Sequence, residues 1–328
     1  MKYNKLLAII GSTGTGKTKL AVRLAHAYNG EIVSADSRQV YRGMDVGTGK
    51  DLKDFRFQIP ARLLAAAGRA RSDLRFKNIP YHCIDVVSPK TEFNLAKYIK
   101  CAHRAIRDVQ SRGRLPILVG GTGLYAQAVV DGYDLTDVKP DKKLREKLEK
   151  MSIEKLQKLL QKLDRNYDGD LSNKRYLIRY IEMVKQTGEP VKKLLAKQGS
   201  KYDCLVLGIK FSREVINKRI DKRLAQRIEQ EGMIEEVERL HKEGVSWKRL
   251  ESFGLEYKFV SRFLRDSRLR GNDDKTEMIE KLKIASHQFA KRQMTWYRRW
   301  EKQGREIKWV DNYKKANKLV KDWIYPVK

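Results

Sequence analysis

A chain of 328 residues with 71 Lys and Arg against 41 Asp and Glu carries a formal charge of +30. That is more than solubility requires and suits a polyanionic partner, because each phosphate neutralised releases condensed counterions; a solvated lysine surface is the ordinary alternative. The length accommodates one large α/β domain with a second, smaller unit. No run of apolar residues is long enough to cross a membrane, and the apolar segment Leu6–Ile10 is too short for a signal-peptide core, so a cytoplasmic protein with no membrane partner is expected.

In chain order, KLLAII (Lys5–Ile10) reads as a buried strand running into the glycine loop GSTGTGKT. Leu20, Leu24 and Tyr28, with Ala21 and Ala25 beside them, mark one face of a helix that Asn29-Gly30 closes. EIVSAD (Glu31–Asp36), IDVV (Ile84–Val87), PILVGG (Pro116–Gly121) and CLVLGIKF (Cys204–Phe211) read as further strands. Short apolar runs alternating with helical patterns indicate parallel strands joined by crossover helices. Between Asp141 and Ser200 the pattern turns to charged helix, with 16 Lys and Arg against 9 Asp and Glu. The expectation is an α/β fold: a P-loop NTPase-like parallel core in residues 1–138 and 203–328, with an all-helical insertion at 139–202. After Phe211 the chain reads as helix except for a short strand at Ile307–Val310. Gly68–Asn78 and Asp266–Lys275 have no periodic apolar face and read as loops. The cysteines Cys83, Cys101 and Cys204 form no C-x-x-C pair; Cys101 with His103 is at most half a zinc site, and core packing is the preferred role.

GSTGTGKT fits the pattern G-x-x-x-x-G-K-[ST] between a strand and an amphipathic helix. Its glycines let backbone N–H groups of Gly11, Ser12, Thr13, Gly14, Thr15 and Gly16 turn toward an anion at a helix N-terminus. Lys17 supplies a point charge, and the Thr18 hydroxyl suits a bound Mg²⁺. Asp36, at the carboxyl edge of the sheet, is placed to accept a proton from a nucleophile, or else to cap a helix through RQVY. GGTGLY (Gly120–Tyr125) repeats the strand-turn-helix logic, with Thr122 offering a hydroxyl, but its strand lacks the terminal acid of an ATPase. KRIDKR (Lys218–Arg223) is expected to begin a helix with Arg219 and Arg223 on one face, able to close over a diphosphate. In the last long helix Leu282, Ala285, Phe289, Trp296 and Trp300 form an apolar stripe that also carries Gln293. A polar amide there needs either a buried helix–helix partner or a nucleic-acid contact. Lys291, Arg292, Arg298 and Arg299 flank it, and cations interleaved with aromatics suit RNA.

GSTGTGKT, SADSRQVYRGMDVGTGK, LVGGTGLY, NKRYLIRYIE, KRIDKR and AKRQMTWYRRW, in this order over nearly the whole chain, resemble the tRNA dimethylallyltransferase family. The resemblance implies that the cradle holds the diphosphate of dimethylallyl diphosphate. The five-carbon unit is then transferred to the N6 amine of adenosine 37, beside the anticodon. It gives Asp36, Thr122 and Arg223 catalytic roles, Gly11 to Thr18 the diphosphate, and Thr18 a Mg²⁺. It assigns tRNA contacts to Asp36, Ser37, Arg38 and Gln39, to Arg145, Arg175 and Arg179 of the insertion, and to Lys291, Arg292, Gln293 and Arg298. The anticodon stem-loop is the implied partner of a protein that nothing requires to be more than a monomer. Departures from the family pattern are Ser12 in place of proline, Tyr176 where many members have arginine, and FGLEYK (Phe253–Lys258) in place of G-Y-[KR]. Three rivals remain open: a small-molecule P-loop kinase, an adenylate isopentenyltransferase and a non-catalytic RNA-binding protein.

Overall fold

The computed structural model describes residues 4–50, 56–58, 76–133, 141–169, 171–194, 199–266 and 272–326. The chain forms two compact units, Met1–Val130 with Tyr202–Lys328, and Asp131–Lys201. The expected boundary at 138–139 lies outside the described residues.

The larger unit is built on β1 (Lys5–Gly11), β2 (Gly30–Ser34), β5 (Tyr81–His82), β6 (Leu115–Gly120), β7 (Asp203–Ile209) and β8 (Lys308–Val310), all parallel in the order β5-β2-β6-β1-β7-β8. A separate ribbon pairs β3 (Arg56–Gln58) antiparallel with β4 (Phe76–Asn78). Alternate residues of β1 feed opposite cores, as the two-residue period of a strand requires. Leu6, Ala8 and Ile10 pack with α2 (Leu95–Ser111), α3 (Gly123–Val130) and residues Tyr297 and Trp300 of α12 (Asn272–Lys302). Leu7 and Ile9 pack with α1 (Lys17–Ala27) and α13 (Tyr313–Ile324). A third core joins Val40, Tyr41 and Met44 to α8 (Arg213–Glu229), α9 (Met233–Lys242), α10 (Trp247–Glu251), α11 (Leu255–Arg265) and α12.

The smaller unit contains α4 (Lys142–Glu149), α5 (Ile153–Leu163), α6 (Lys174–Thr187) and α7 (Val191–Leu194) around Leu148, Leu156, Leu160, Leu177 and Ile181. Asn173 caps α6 through the Arg175 N–H, and Gly188 ends it in the left-handed region.

Several expectations need correction. The strand expected at Ile84–Val87 is instead Tyr81–His82, because Cys83 (φ 60°) and Asp85 (φ 54°) break the extended path; Val87 makes only an isolated bridge to Tyr41. In the loop expected at Gly68–Asn78, Phe76–Asn78 is a strand and residues 68–75 lie outside the described residues. In the loop expected at Asp266–Lys275, residues 267–271 lie outside them, and α12 already begins at Asn272. KRIDKR lies in the middle of α8, whose N-cap is Ser212.

Candidate active site

The glycine loop leaves β1 and enters α1 with Gly14 at φ 79° and Gly16 at φ 78°, left-handed conformations that favour glycine. The Ser12 carbonyl accepts from Thr15 Oγ1 at 2.8 Å and from Lys17 Nζ at 2.7 Å. Position 12 therefore contributes its carbonyl. Lys17 sits at the first position of α1, and burial lowers its ammonium from 10.5 to about 8; Asp36 opposes the shift and Arg223 reinforces it. A Cβ at Gly121 would lie 3.7 Å from Lys17 Nζ, which puts the ammonium beside the glycine turn that precedes Thr122.

Asp36 follows β2. Its Oδ1 accepts the Arg38 N–H at 2.9 Å, closing a turn rather than opening the helix that RQVY could have formed. Among the described residues no hydrogen bond reaches its Oδ2. Thr122 Oγ1 accepts the Ser37 N–H at 3.2 Å, so the GGTG turn is tied to the residue next to Asp36. Gln39 is also engaged, accepting from Ser34 Oγ at 2.9 Å and donating to the Gly49 carbonyl at 3.4 Å.

Arg223 and Arg227 reach the opposite wall from α8. Arg223 Nη2 donates to the Gly49 carbonyl at 3.4 Å, and a Cβ at Gly49 (φ 65°) would lie 2.1 Å from Arg227 Nη2. Only glycine fits there. Burial lowers Arg223 to about 10, with Arg227 adding to the effect and Glu231 and Glu256 opposing it. Burial likewise raises the Glu256 carboxyl, a shift that Arg227 opposes and Asp36 reinforces. Arg219, expected to act beside Arg223, stacks on the Phe211 ring at 4.2 Å instead.

The stripe of α12 differs from expectation. Leu282, Ser286, Ala290, Gln293, Tyr297 and Trp300 are buried, whereas Phe289 is 41% exposed. Gln293 is the hinge pin between the two glycine turns: its Oε1 accepts the Thr13 N–H at 2.9 Å and its Nε2 donates to the Gly121 carbonyl at 2.8 Å. Of the two readings open for it, the structure supplies the buried partner. Tyr297 Oη lies 3.3 Å from the Gly11 carbonyl and 3.2 Å from that of Gly121. Trp296 packs so closely on Gly123 that a Cβ there would lie 2.3 Å from its Cδ1. Lys291, Arg292 and Arg298 are exposed on the outer side of α12.

In the helical unit, the buried Glu182 gathers Arg145 through Nε (2.9 Å) and Nη2 (2.7 Å), Arg179 through Nη1, and the Asp141 N–H (2.6 Å). Burial opposes and these donors outweigh it, holding the Glu182 carboxyl below the usual range. Arg175 is exposed, and Tyr176 stacks toward Tyr180 with 6.0 Å between ring centroids. Cys101 and His103 diverge: Cys101 Sγ lies 3.1 Å from Cys83 Sγ, and His103 Nδ1 lies 2.6 Å from Tyr202 Oη. Among the described residues no group of three His, Cys, Asp or Glu is placed to hold a metal.

The IPP transferase family model matches residues 39–300, and an isopentenyl transferase model matches residues 4–63. The tRNA dimethylallyltransferase 2 of Citrifermentans bemidjiense is 42% identical over 308 residues, covering 93% of this chain and 90% of that protein. The chain belongs to the tRNA dimethylallyltransferase family. A second relative, the tRNA dimethylallyltransferase 1 of Syntrophus aciditrophicus, is 41% identical over 320 residues, with 96% of this chain and 97% of that protein covered. The crystal structure of the full-length tRNA isopentenylpyrophosphate transferase of Bacillus halodurans superposes with a TM-score of 0.63 at 32% identity, covering 98% of this chain and 95% of that one. A eukaryotic dimethylallyltransferase acting on tRNA superposes with a TM-score of 0.69 at 25% identity, covering 89% of this chain and 69% of that chain.

Two of the chain's departures from the family pattern have a structural reading. Ser12 offers the loop its carbonyl, which proline would also supply. FGLEYK places Glu256 in the first turn of α11, near Arg223 and Arg227. Sequence reasoning missed Arg227, Glu256, Tyr297 and Glu236. Each sits in a charged or aromatic helical pattern whose own signal is that of a solvated or packing face.

Proposed function

We propose that this chain transfers a dimethylallyl group from dimethylallyl diphosphate to the N6 amine of adenosine 37 of tRNA, releasing diphosphate. The observation that carries the reading is geometric: Lys17 Nζ lies beside the Gly121–Thr122 turn that holds Ser37 next to Asp36, Arg223 shares the Gly49 carbonyl with Gln39, and among the described residues Asp36 Oδ2 receives no hydrogen bond. In the transfer, the N6 lone pair forms a bond to the allylic carbon as the carbon–oxygen bond breaks, and the electron pair leaves with the diphosphate. Lys17, the N–H groups of the glycine loop other than that of Thr13, which Gln293 takes, and Arg223 stabilise that departing charge. Asp36 Oδ2 takes the amine proton, while Oδ1 stays bound to the Arg38 N–H and fixes the carboxylate. Thr122 acts by holding the Ser37 backbone, and so Asp36, in place.

The Thr18 hydroxyl would hold a Mg²⁺, and that ion would supply Lewis-acid stabilisation of the leaving diphosphate. A lone protein hydroxyl fits this ion, which is commonly held by substrate oxygens and waters. The target adenine leaves its stack to enter the site. On this reading the helical unit at 139–202 grips the anticodon stem-loop with Arg145, Arg175 and Arg179. Ser37, Arg38, Gln39, Lys291, Arg292 and Arg298 line the tRNA path from the core, Gln293 being taken up by its buried partners Thr13 and Gly121, and a monomer acts in the cytoplasm. No helix among the described residues is long and apolar enough to cross a membrane.

Asp36→Ala tests the assignment. Transfer is expected to fall about 10²–10⁴-fold, the usual worth of a positioned base, with tRNA affinity retained. Undiminished transfer would contradict the role of Asp36.

A further inference from the structure

We propose that Glu236 is a positioning residue for the leaving-group side of the site, acting through the Asp45–Gly49 turn on Arg223. The inference rests on the transfer reading above. Glu236 projects from α9, is buried, and lies 189 to 191 positions along the chain from the turn it contacts. Its carboxylate accepts four hydrogen bonds. Oε2 takes the N–H groups of Asp45 at 2.7 Å and Val46 at 2.8 Å, and Oε1 takes the Gly47 N–H at 3.0 Å and the Tyr257 hydroxyl at 2.6 Å. Consecutive backbone N–H groups converging on one anion form a nest, and here the anion is part of the protein. All four donors are neutral, so directed hydrogen bonds hold the carboxylate, with the Arg227 guanidinium the nearby cation.

The turn it pins is the one on which the arginines rest. Tyr257 packs against Gly47, where a Cβ would lie 2.8 Å from its Cε2 and Cζ. Lys50, fully buried, closes the far end of the turn by donating to the Tyr41 carbonyl at 2.9 Å, to Asp45 at 2.8 Å and to Asp85 at 2.5 Å. Between these two anchors the Gly49 carbonyl is presented to Arg223 Nη2 and to Gln39 Nε2. Loss of the Glu236 anchor frees Asp45–Gly47 and lets the Gly49 carbonyl drift, so Arg223 loses its fixed aim. A glutamine satisfies only part of the set, because either orientation of its –NH₂ group faces at least one backbone N–H, even though the Tyr257 oxygen can accept.

The test is a double-mutant cycle with Glu236→Gln and Arg223→Gln, read as single-turnover transfer and as KM for tRNA. Glu236→Gln is expected to lower kcat about 10- to 100-fold with the tRNA KM within about threefold of the wild type; in the Arg223→Gln background the further loss is expected to stay under about threefold. Losses that multiply, or wild-type kcat in Glu236→Gln, would overturn the proposal. Should Glu236→Gln fail to fold, Tyr257→Phe removes one of the four donors and keeps the ring on Gly47. A kcat loss of about two- to fivefold that vanishes without Arg223 supports the coupling, and a loss independent of Arg223, or none, overturns it. Titration of inorganic diphosphate into the same four proteins reads the coupling without catalysis. Absence of transfer by the wild type would sink the functional reading, while non-additive diphosphate affinities would still uphold the Glu236–Arg223 link and additive ones would overturn it.

Discussion

Lys17 sets the pH dependence expected of the reaction. Burial holds its ammonium at about 8 in the free protein, so it carries its charge below that pH and loses it above. A diphosphate favours the charged form, and binding should therefore take up a proton near and above pH 8. The prediction is that kcat/KM for the donor declines as pH rises through about 8, measured at saturating tRNA; a profile flat to pH 10 would contradict the role of Lys17. At this scale the sequence was informative where chemistry forces a residue type. The glycine loop demanded Lys17 and Thr18, and a glutamine on an apolar stripe demanded a partner, which Gln293 has in Thr13 and Gly121. Glu236 was illegible for a complementary reason: an acid in the first turn of an amphipathic helix is ordinarily a solvated, dipole-matched residue. Only the fold brings three backbone N–H groups from 189 to 191 positions away onto it.

Helix α12 couples the two glycine turns, and the coupling is testable. Gln293→Leu keeps the volume roughly but leaves the Thr13 N–H without its partner, which costs about 1–3 kcal/mol, while the Gly121 carbonyl keeps the Tyr297 hydroxyl. A lowered Tm together with weaker diphosphate binding is expected, measured by thermal unfolding with and without inorganic diphosphate; unchanged values of both would contradict the hinge-pin role. Gly123→Ala should be more damaging, because Trp296 occupies the space a Cβ needs. Strands with continuous apolar runs, such as β1, β6 and β7, were readable because burial on both faces leaves no other composition for them. The segment after β5 was misread because Cys83 and Asp85 adopt left-handed conformations, which their residue types do not announce. The stripe of α12 was read slightly out of phase: Phe289 was taken for core when Ser286 and Ala290 are, since small residues at close-packed positions carry little hydrophobic signal.

For the whole molecule, the +30 charge is the clearest message of the sequence, and it bears on affinity rather than fold. The slope of log affinity for tRNA against log salt is expected to be steep, and replacing Lys291, Arg292 and Arg298 together by Gln should flatten it by about two to three phosphate contacts' worth. An unchanged slope would remove these residues from the tRNA path. The helical unit was recognisable as a charged helical stretch, but the sharing of Glu182 by Arg145 and Arg179 was not, because an ion-pair network depends on which helix faces meet. The central claim is tested most directly by incubating the protein with Mg²⁺, radiolabelled dimethylallyl diphosphate and unmodified tRNA, beside tubes holding AMP or ATP as acceptor. Label is expected in tRNA alone, on the adenosine next to the anticodon. Label on the free nucleotide, or ATP consumed with no label transferred to any acceptor, would contradict it.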